Sequence, residues 1–233
     1  MSPPLAPLVL LPGLLCDAAL WRPQIEGLAE IAAIFVPDLT LDKNVAAMAA
    51  RVLAVAPPRF ALGALSMGGY VAFEIMRQAP ARVERLALFS TSAEPDTPEE
   101  ADKRRRGMAS LKLGRFVGVG QHLLPQLIHP SRLADPVAQI VRDMAERVGG
   151  AAFLNQQEAI LSRPDSRPTL ATISVPTLVA VGDSDLLTPP DESRLIHEGI
   201  KGSTLHMFET CGHLPALERP DETVTLLRDW LGS

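Results

Sequence analysis

Cysteine is scarce in this chain of 233 residues: only Cys16 and Cys211 are present, far apart and in no C-x-x-C pair. Two cysteines can build neither a disulfide framework nor a thiolate-rich metal site, so a reducing, cytoplasmic setting is expected. Basic charge is also short. Twenty-two Lys and Arg stand against 27 Asp and Glu, a formal net charge of −5, which argues against a nucleic-acid partner, since a phosphate backbone asks for a basic face. No apolar run reaches the roughly 18 residues of a membrane span. The short run Leu8 to Leu11 has no basic segment ahead of it and stops at Pro12-Gly13, so no signal peptide is expected. The five histidines are scattered without metal-ligand spacing, and the glycines form neither a phosphate loop nor a dinucleotide fingerprint. No cofactor and no metal is therefore expected, and a small-molecule partner is expected in place of a nucleic acid or a membrane, on a monomer or homodimer.

What is present is a globular composition, 47% apolar and 21% charged, on a chain long enough for one full core and a small appendage. Short apolar runs at Leu8–Leu11, Ile31–Val36, Phe60–Leu65 and Val83–Phe89 read as strands, the first of a kind that suits burial on both faces. Between them lie helical stretches at Leu20–Ala29 (Ile25 and Leu28 inward), Asn44–Val55 and Gly68–Gln78 (Ala72, Ile75, Met76 and Ala79 inward). Alternating strands and helices imply parallel pairing. The rhythm breaks over 94–172, where helices are expected at 98–115, 118–128, 133–147 and 150–162, jointed at Gly149-Gly150. It resumes with strands at Thr177–Val181 and Thr204–Phe208, a helix at Pro190–Glu198, and a last helix from Pro220 that turns Val224, Leu227 and Leu231 inward. The reading is a core of 1–93 and 173–233 with a helical cap at 94–172.

Chemistry concentrates at the carboxyl ends of the strands, where open α/β sheets hold ligands. In Ala64-Leu-Ser66-Met-Gly68-Gly69 a serine sits between a buried strand and a helix, with small neighbours that allow close backbone approach. A plain helix N-cap is the competing role for Ser66. His213, in Thr210-Cys-Gly-His-Leu-Pro, lies on the loop before the last helix and can take and return the serine proton. His197 and His206 fall inside a helix and a strand; His122 and His129 fall in the cap. In Gly182-Asp183-Ser-Asp185-Leu-Leu-Thr-Pro189, Asp185 is the carboxylate chosen to orient the imidazole, and Asp183 the one to bind backbone N–H groups. Gly13 lets the loop after the first strand pass close to Ser66. The backbone N–H groups of Leu14 and Met67 are then the expected oxyanion donors. Asp17 and Trp21 either hold this loop or serve as an ordinary N-cap and core residue.

The order Ser66, Asp185, His213, with the turn around Ser66, resembles the α/β-hydrolase superfamily over nearly the whole chain. Two positions depart from its pattern: Ala64 replaces the first glycine of G-x-S-x-G, and Pro12 replaces the frequent histidine of the oxyanion loop. Leu11-Pro-Gly-Leu-Leu-Cys-Asp-Ala-Ala-Leu-Trp21 and Gly182-x-x-Asp185-x-x-x-Pro189 resemble small capped bacterial serine hydrolases. The resemblance implies a mostly parallel six-stranded sheet, lacking the first two family strands, with helices on both faces and a helical cap inserted over the site. It also implies carboxylic ester hydrolysis through an acyl-serine. Alternatives are thioester, lactone or C–C bond hydrolysis, or a ligand-binding protein on a degenerate scaffold. Leu15, Phe116, Leu124, Phe153 and Leu186 are candidate pocket residues. Lys103-Arg-Arg-Arg106 is either an anion-attracting or a solvated face, and Gln157 and Arg163 are weaker substrate-contact candidates.

Overall fold

The computed structural model describes residues 5–114, 116 and 118–232. Its centre is a six-stranded parallel sheet in the order β2-β1-β3-β4-β5-β6. β1 is Ala6–Leu11, followed by a 3-10 turn at Ala18–Trp21, α1 at Arg22–Gly27 and β2 at Ala32–Phe35. Then come α2 (Val45–Val55), β3 (Phe60–Leu65), α3 (Met67–Gln78) and β4 (Val83–Phe89). α4 (Pro98–Leu113), α5 (Leu124–Leu127), α6 (Pro136–Leu161) and α7 (Arg167–Leu170) form a helical insertion. β5 (Thr177–Gly182), α8 (Pro190–Gly199), β6 (Thr204–Phe208), α9 (Pro215–Glu218) and α10 (Pro220–Gly232) complete the chain.

Every residue of β3 and β5 is buried. Side-chain alternation divides the apolar residues between two cores. Leu8, Leu10, Ala61, Leu65, Ala87, Phe89, Leu178 and Ala180 face α1 and α10, together with Val119, Leu124, Val137, Val141 and Met144 of the insertion. Val9, Leu11, Leu62, Ala64, Leu86, Leu88 and Val179 face α2, α3 and α8. Removing this much apolar area from water, at about 25 cal/mol per Å², is the main driving force for the fold.

Several expected elements change. The helix anticipated over Leu20–Ala29 splits into a 3-10 turn and a short α1, and it buries Gln24 while Ile25 is only half-buried. Gln24 turns inward because its Nε2 donates to the Ala216 carbonyl at 3.0 Å. α10 buries Thr223, Leu227 and Trp230, leaving Val224 and Leu231 half-buried. Thr223 fits there because its hydroxyl donates to Pro215 O at 3.1 Å. Ala79, expected on the inner face of α3, ends the helix half-buried. Of the helix expected over 118–128, only the turn Leu124–Leu127 forms; Pro125 stands at its start, and Gly118 (φ 64°) lies in the left-handed region. The joint at Gly149 is real: its φ of 77° and ψ of 170° interrupt α6, so the two stretches run consecutively across a kink. The insertion's two ends are clamped together. Arg163 Nη1 meets Asp96 Oδ1 at 2.7 Å with both side chains buried, and Ser166 N–H donates to Ala93 O at 2.8 Å.

Candidate active site

Ser66 has φ 55° and ψ −117°, a conformation that L-residues other than glycine rarely adopt. Such a residue persists only where its surroundings over-determine it. Here its N–H donates to Phe89 O at 2.9 Å. Its carbonyl accepts from Gly69 N–H at 2.8 Å and from Thr91 Oγ1 at 2.8 Å. The sharp turn also requires backbones to touch: a Cβ on Gly68 would lie 2.7 Å from Leu11 O and 2.9 Å from Pro12 O. Ala64 is accommodated, fully buried and in register with Leu11 and Leu88. Ser66 begins α3 without capping it through its side chain.

The hydroxyl turns to His213 instead. Ser66 Oγ and His213 Nε2 are 2.8 Å apart, while His213 Nδ1 lies 2.8 Å from Asp185 Oδ2 and 3.0 Å from Oδ1. An ionised carboxylate only accepts, so Nδ1 must carry the proton. In the neutral ring Nε2 is then an acceptor, and the Ser66 O–H donates to it. Burial pushes the Asp185 carboxyl up. The adjacent imidazole and hydrogen bonds from His213 and the Thr188 and Leu187 N–H groups outweigh that and hold it below the usual carboxylate range. Asp185 Oδ1 accepts from Leu187 N at 2.9 Å and Thr188 N at 3.0 Å, and Oδ2 from Thr188 Oγ1 at 3.0 Å. Asp183 does something different: it accepts the N–H groups of Thr210 at 2.9 Å and Cys211 at 3.2 Å.

The loop after β1 runs against Ser66, and a Cβ on Gly13 would lie 3.4 Å from Ser66 Cβ. Residues 13–16 form a turn closed by Cys16 N–H to Gly13 O at 3.2 Å, with Leu15 left-handed at φ 58°. The N–H groups of Leu14 and Met67 donate to no acceptor among the described residues. Asp17 caps the 3-10 turn through Ala19 N–H at 2.9 Å and pairs with Arg147, while Trp21 is fully buried edge-on to Phe89. Both have ordinary structural partners.

Of the candidate pocket residues, Leu15 and Leu124 are buried in the α1–α10 core, and Phe116 and Phe153 pack against each other at 5.9 Å. Leu186 stands 67% exposed on the loop beside Asp185, outside both cores. Arg163 and Gln157 are engaged elsewhere: Arg163 pairs with Asp96 and lies 4.4 Å over the Tyr70 ring, and Gln157 accepts from Arg104 at 2.6 Å. Lys103, Arg105 and Arg106 are exposed, whereas Arg104 turns inward to Asp96. Thr188 is a contact of the triad that the sequence reading missed: its N–H donates to Asp185 Oδ1 and its hydroxyl to Oδ2, and its place three residues after Asp185 was the one available signal.

A family model described as alpha/beta hydrolase fold matches residues 45–220. The chain belongs to the α/β-hydrolase family. The thermophilic esterase of Thermogutta terrifontis is 31% identical with a TM-score of 0.88, over 97% of this chain and 89% of that one. The enol-lactonase of Burkholderia xenovorans is 25% identical with a TM-score of 0.82, over 98% and 92%. A pimeloyl-[acyl-carrier protein] methyl ester esterase of Neisseria meningitidis serogroup A is 31% identical over 179 residues, 71% of this chain. The chain spans about half the length of that relative, 55%. Among the described residues no helix is long and apolar enough to cross a membrane, and no three metal-ligating side chains converge.

Proposed function

We propose that this α/β hydrolase is a serine carboxylic ester hydrolase, with Ser66 as nucleophile, His213 as general base and acid, and Asp185 as orienter of the imidazole. The observation that carries the reading is the continuous chain from Ser66 Oγ through His213 to the Asp185 carboxylate. Ser66 Oγ attacks the ester carbonyl carbon as its proton passes to His213 Nε2. The carbonyl oxygen becomes an oxyanion, received by the N–H groups of Leu14 and Met67, the latter at the start of α3 where the helix dipole favours negative charge. Collapse breaks the bond to the alcohol oxygen, which takes the proton from His213 and leaves an acyl-serine. Water then repeats the sequence: His213 takes its proton, the hydroxide oxygen bonds to the acyl carbon, and the acid departs as Ser66 recovers its proton.

Residues 94–172 act as the cap, with Leu15, Phe116, Leu124, Phe153 and Leu186 as candidate contacts for the acyl or alcohol group. The similarity to an enol-lactonase favours lactones as a second substrate class; the same steps then open the ring and retain the leaving alcohol within the product. Assays across aryl esters, thioesters, lactones and ring-fission diketones, with Ser66→Ala as control, test the reading. Ester turnover that Ser66→Ala abolishes in a folded protein supports it; undiminished turnover overturns it.

A further inference from the structure

The turn that carries the Leu14 N–H is not held by its own backbone alone. Leu15 is left-handed, a conformation unfavourable for a residue with a side chain. Its N–H donates to Gln156 Oε1 at 3.1 Å. Gln156 belongs to α6 beyond the Gly149 break and is fully buried. Its amide is oriented from the other end, because Nε2 donates to Leu39 O at 3.4 Å. The neighbouring Asn155 Nδ2 donates to Thr40 O at 3.1 Å, tying the same helical turn to the same loop.

We infer that Gln156 is a positioning residue for the oxyanion loop, so that this half of the insertion is a fixed strut of the site. The inference rests on the reading of Leu14 as an oxyanion donor. A turn of this kind has two orientations of its central peptide, differing in whether the Leu15 N–H or the Leu14 C=O points a given way. An acceptor oxygen anchored at 3.1 Å admits only the first, because the flipped peptide would set carbonyl oxygen against carbonyl oxygen. In the orientation kept, Leu14 O accepts weakly from Cys16 Sγ at 3.5 Å; the Leu14 N–H belongs to the preceding peptide and depends on this anchor through the path of the turn. Without Gln156 the buried Leu15 N–H loses its acceptor, the turn gains the second orientation, and the path of residues 13–16 that places the Leu14 N–H is no longer fixed.

The test compares Gln156→Met, which keeps the volume and removes the acceptor, with Gln156→Glu, which keeps an acceptor for Leu15. Each is assayed on an aryl ester and titrated with a trifluoromethyl ketone, whose hemiketal oxyanion occupies the donor site. Gln156→Met is expected to lower kcat by about 10-fold to 100-fold, to leave KM within about 2-fold, and to weaken the ketone by the same factor as kcat. Gln156→Glu is expected to recover most of both. Unchanged kcat and ketone affinity in Gln156→Met overturn the inference. So does a variant whose kcat loss is matched by lost folded fraction in thermal melting, with normal ketone affinity per folded molecule. If Gln156→Met does not fold, Gln156→Glu and Gln156→Asn decide the point by the same kcat and ketone measurements. Labelling of Ser66 by a phosphonate in the parent protein tests the underlying hydrolase reading separately: failure to label there removes that reading, while labelling with no Gln156 effect removes only the inference.

Discussion

The Glu218 carboxylate accepts the backbone N–H of His129 at 2.7 Å, tying the insertion to the loop that carries His213. The same carboxylate takes the N–H groups of Gly212 and Leu214, one on each side of His213, at 3.1 Å. The His213 N–H itself donates to Leu127 O at 3.1 Å. Glu218 is 2% exposed, so each of its bonds replaces water that cannot reach the site. Truncation would leave three N–H groups without an acceptor, at about 1–3 kcal/mol each. At about 2–4 °C per kcal/mol for a domain of this size, Glu218→Ala is expected to lower the melting temperature by at least about 6 °C, the low end of that cost, and kcat by about 100-fold through displacement of the imidazole. Thermal melting alongside ester kinetics checks this; a wild-type melting temperature contradicts it.

The strained Ser66 backbone makes activity and stability trade against each other. Its φ of 55° costs about 1–3 kcal/mol in a residue with a Cβ, and glycine relieves that cost. Ser66→Gly should abolish ester hydrolysis and raise unfolding free energy by about 1 kcal/mol, after glycine's greater freedom in the unfolded chain is subtracted. Urea titration of both proteins measures the difference. A loss of stability would show that Ser66 is not strained in the folded protein.

Asp185 gives the site a pH signature. Its folded pKa is depressed by His213 and by N–H donors against the opposing effect of burial. A depressed carboxyl stabilises the fold above its unfolded pKa of about 3.9, and that stabilisation disappears as pH falls through the lower folded value. The wild-type advantage over Asp185→Asn should therefore be fully present above the unfolded carboxylate pKa of about 3.9 and shrink as pH falls below it toward the depressed folded value. Near neutral pH Asp185→Asn should also lower kcat by about 10⁴-fold, because an amide no longer enforces the Nδ1–H tautomer. Denaturation at a series of pH values, with kinetics at neutral pH, reads both effects; a stability difference independent of pH would contradict the first.

Neither cysteine should react while the protein is folded. Burial, with the Asp17 charge adding to it, pushes the Cys16 thiol up to about 12. Burial and the Glu218 charge push Cys211 upward as well. Only thiolate is a good nucleophile, so iodoacetamide at pH 8 should leave the native protein unmodified and add two groups in guanidinium, as counted by intact mass. Rapid alkylation of the native protein would mean that these side chains are reached by solvent.

The strands of the sheet and the order of Ser66, Asp185 and His213 were legible in the sequence because they are written locally. A run such as Phe60–Leu65 is apolar at every position only where both faces are buried, and a serine between such a run and a helix has few places to go. The distinction between Asp183 and Asp185 was legible for the same reason, since depth along one loop separates a turn acceptor from a partner for the imidazole. What the sequence did not reveal was which polar side chains outside that set are drawn inward by a partner far along the chain. The inward positions expected of their helices included Ile25 and Val224, yet Gln24 and Thr223 are the buried ones, with Ala216 O and Pro215 O accepting from them. Neither Glu218 nor Gln156 is among the residues singled out from the sequence, and folding brings each against a backbone N–H, 89 and 141 residues away. Periodicity reports which face of an element avoids water. Which buried amide will require an acceptor is set by how the elements meet, and that information exists only once the chain has folded.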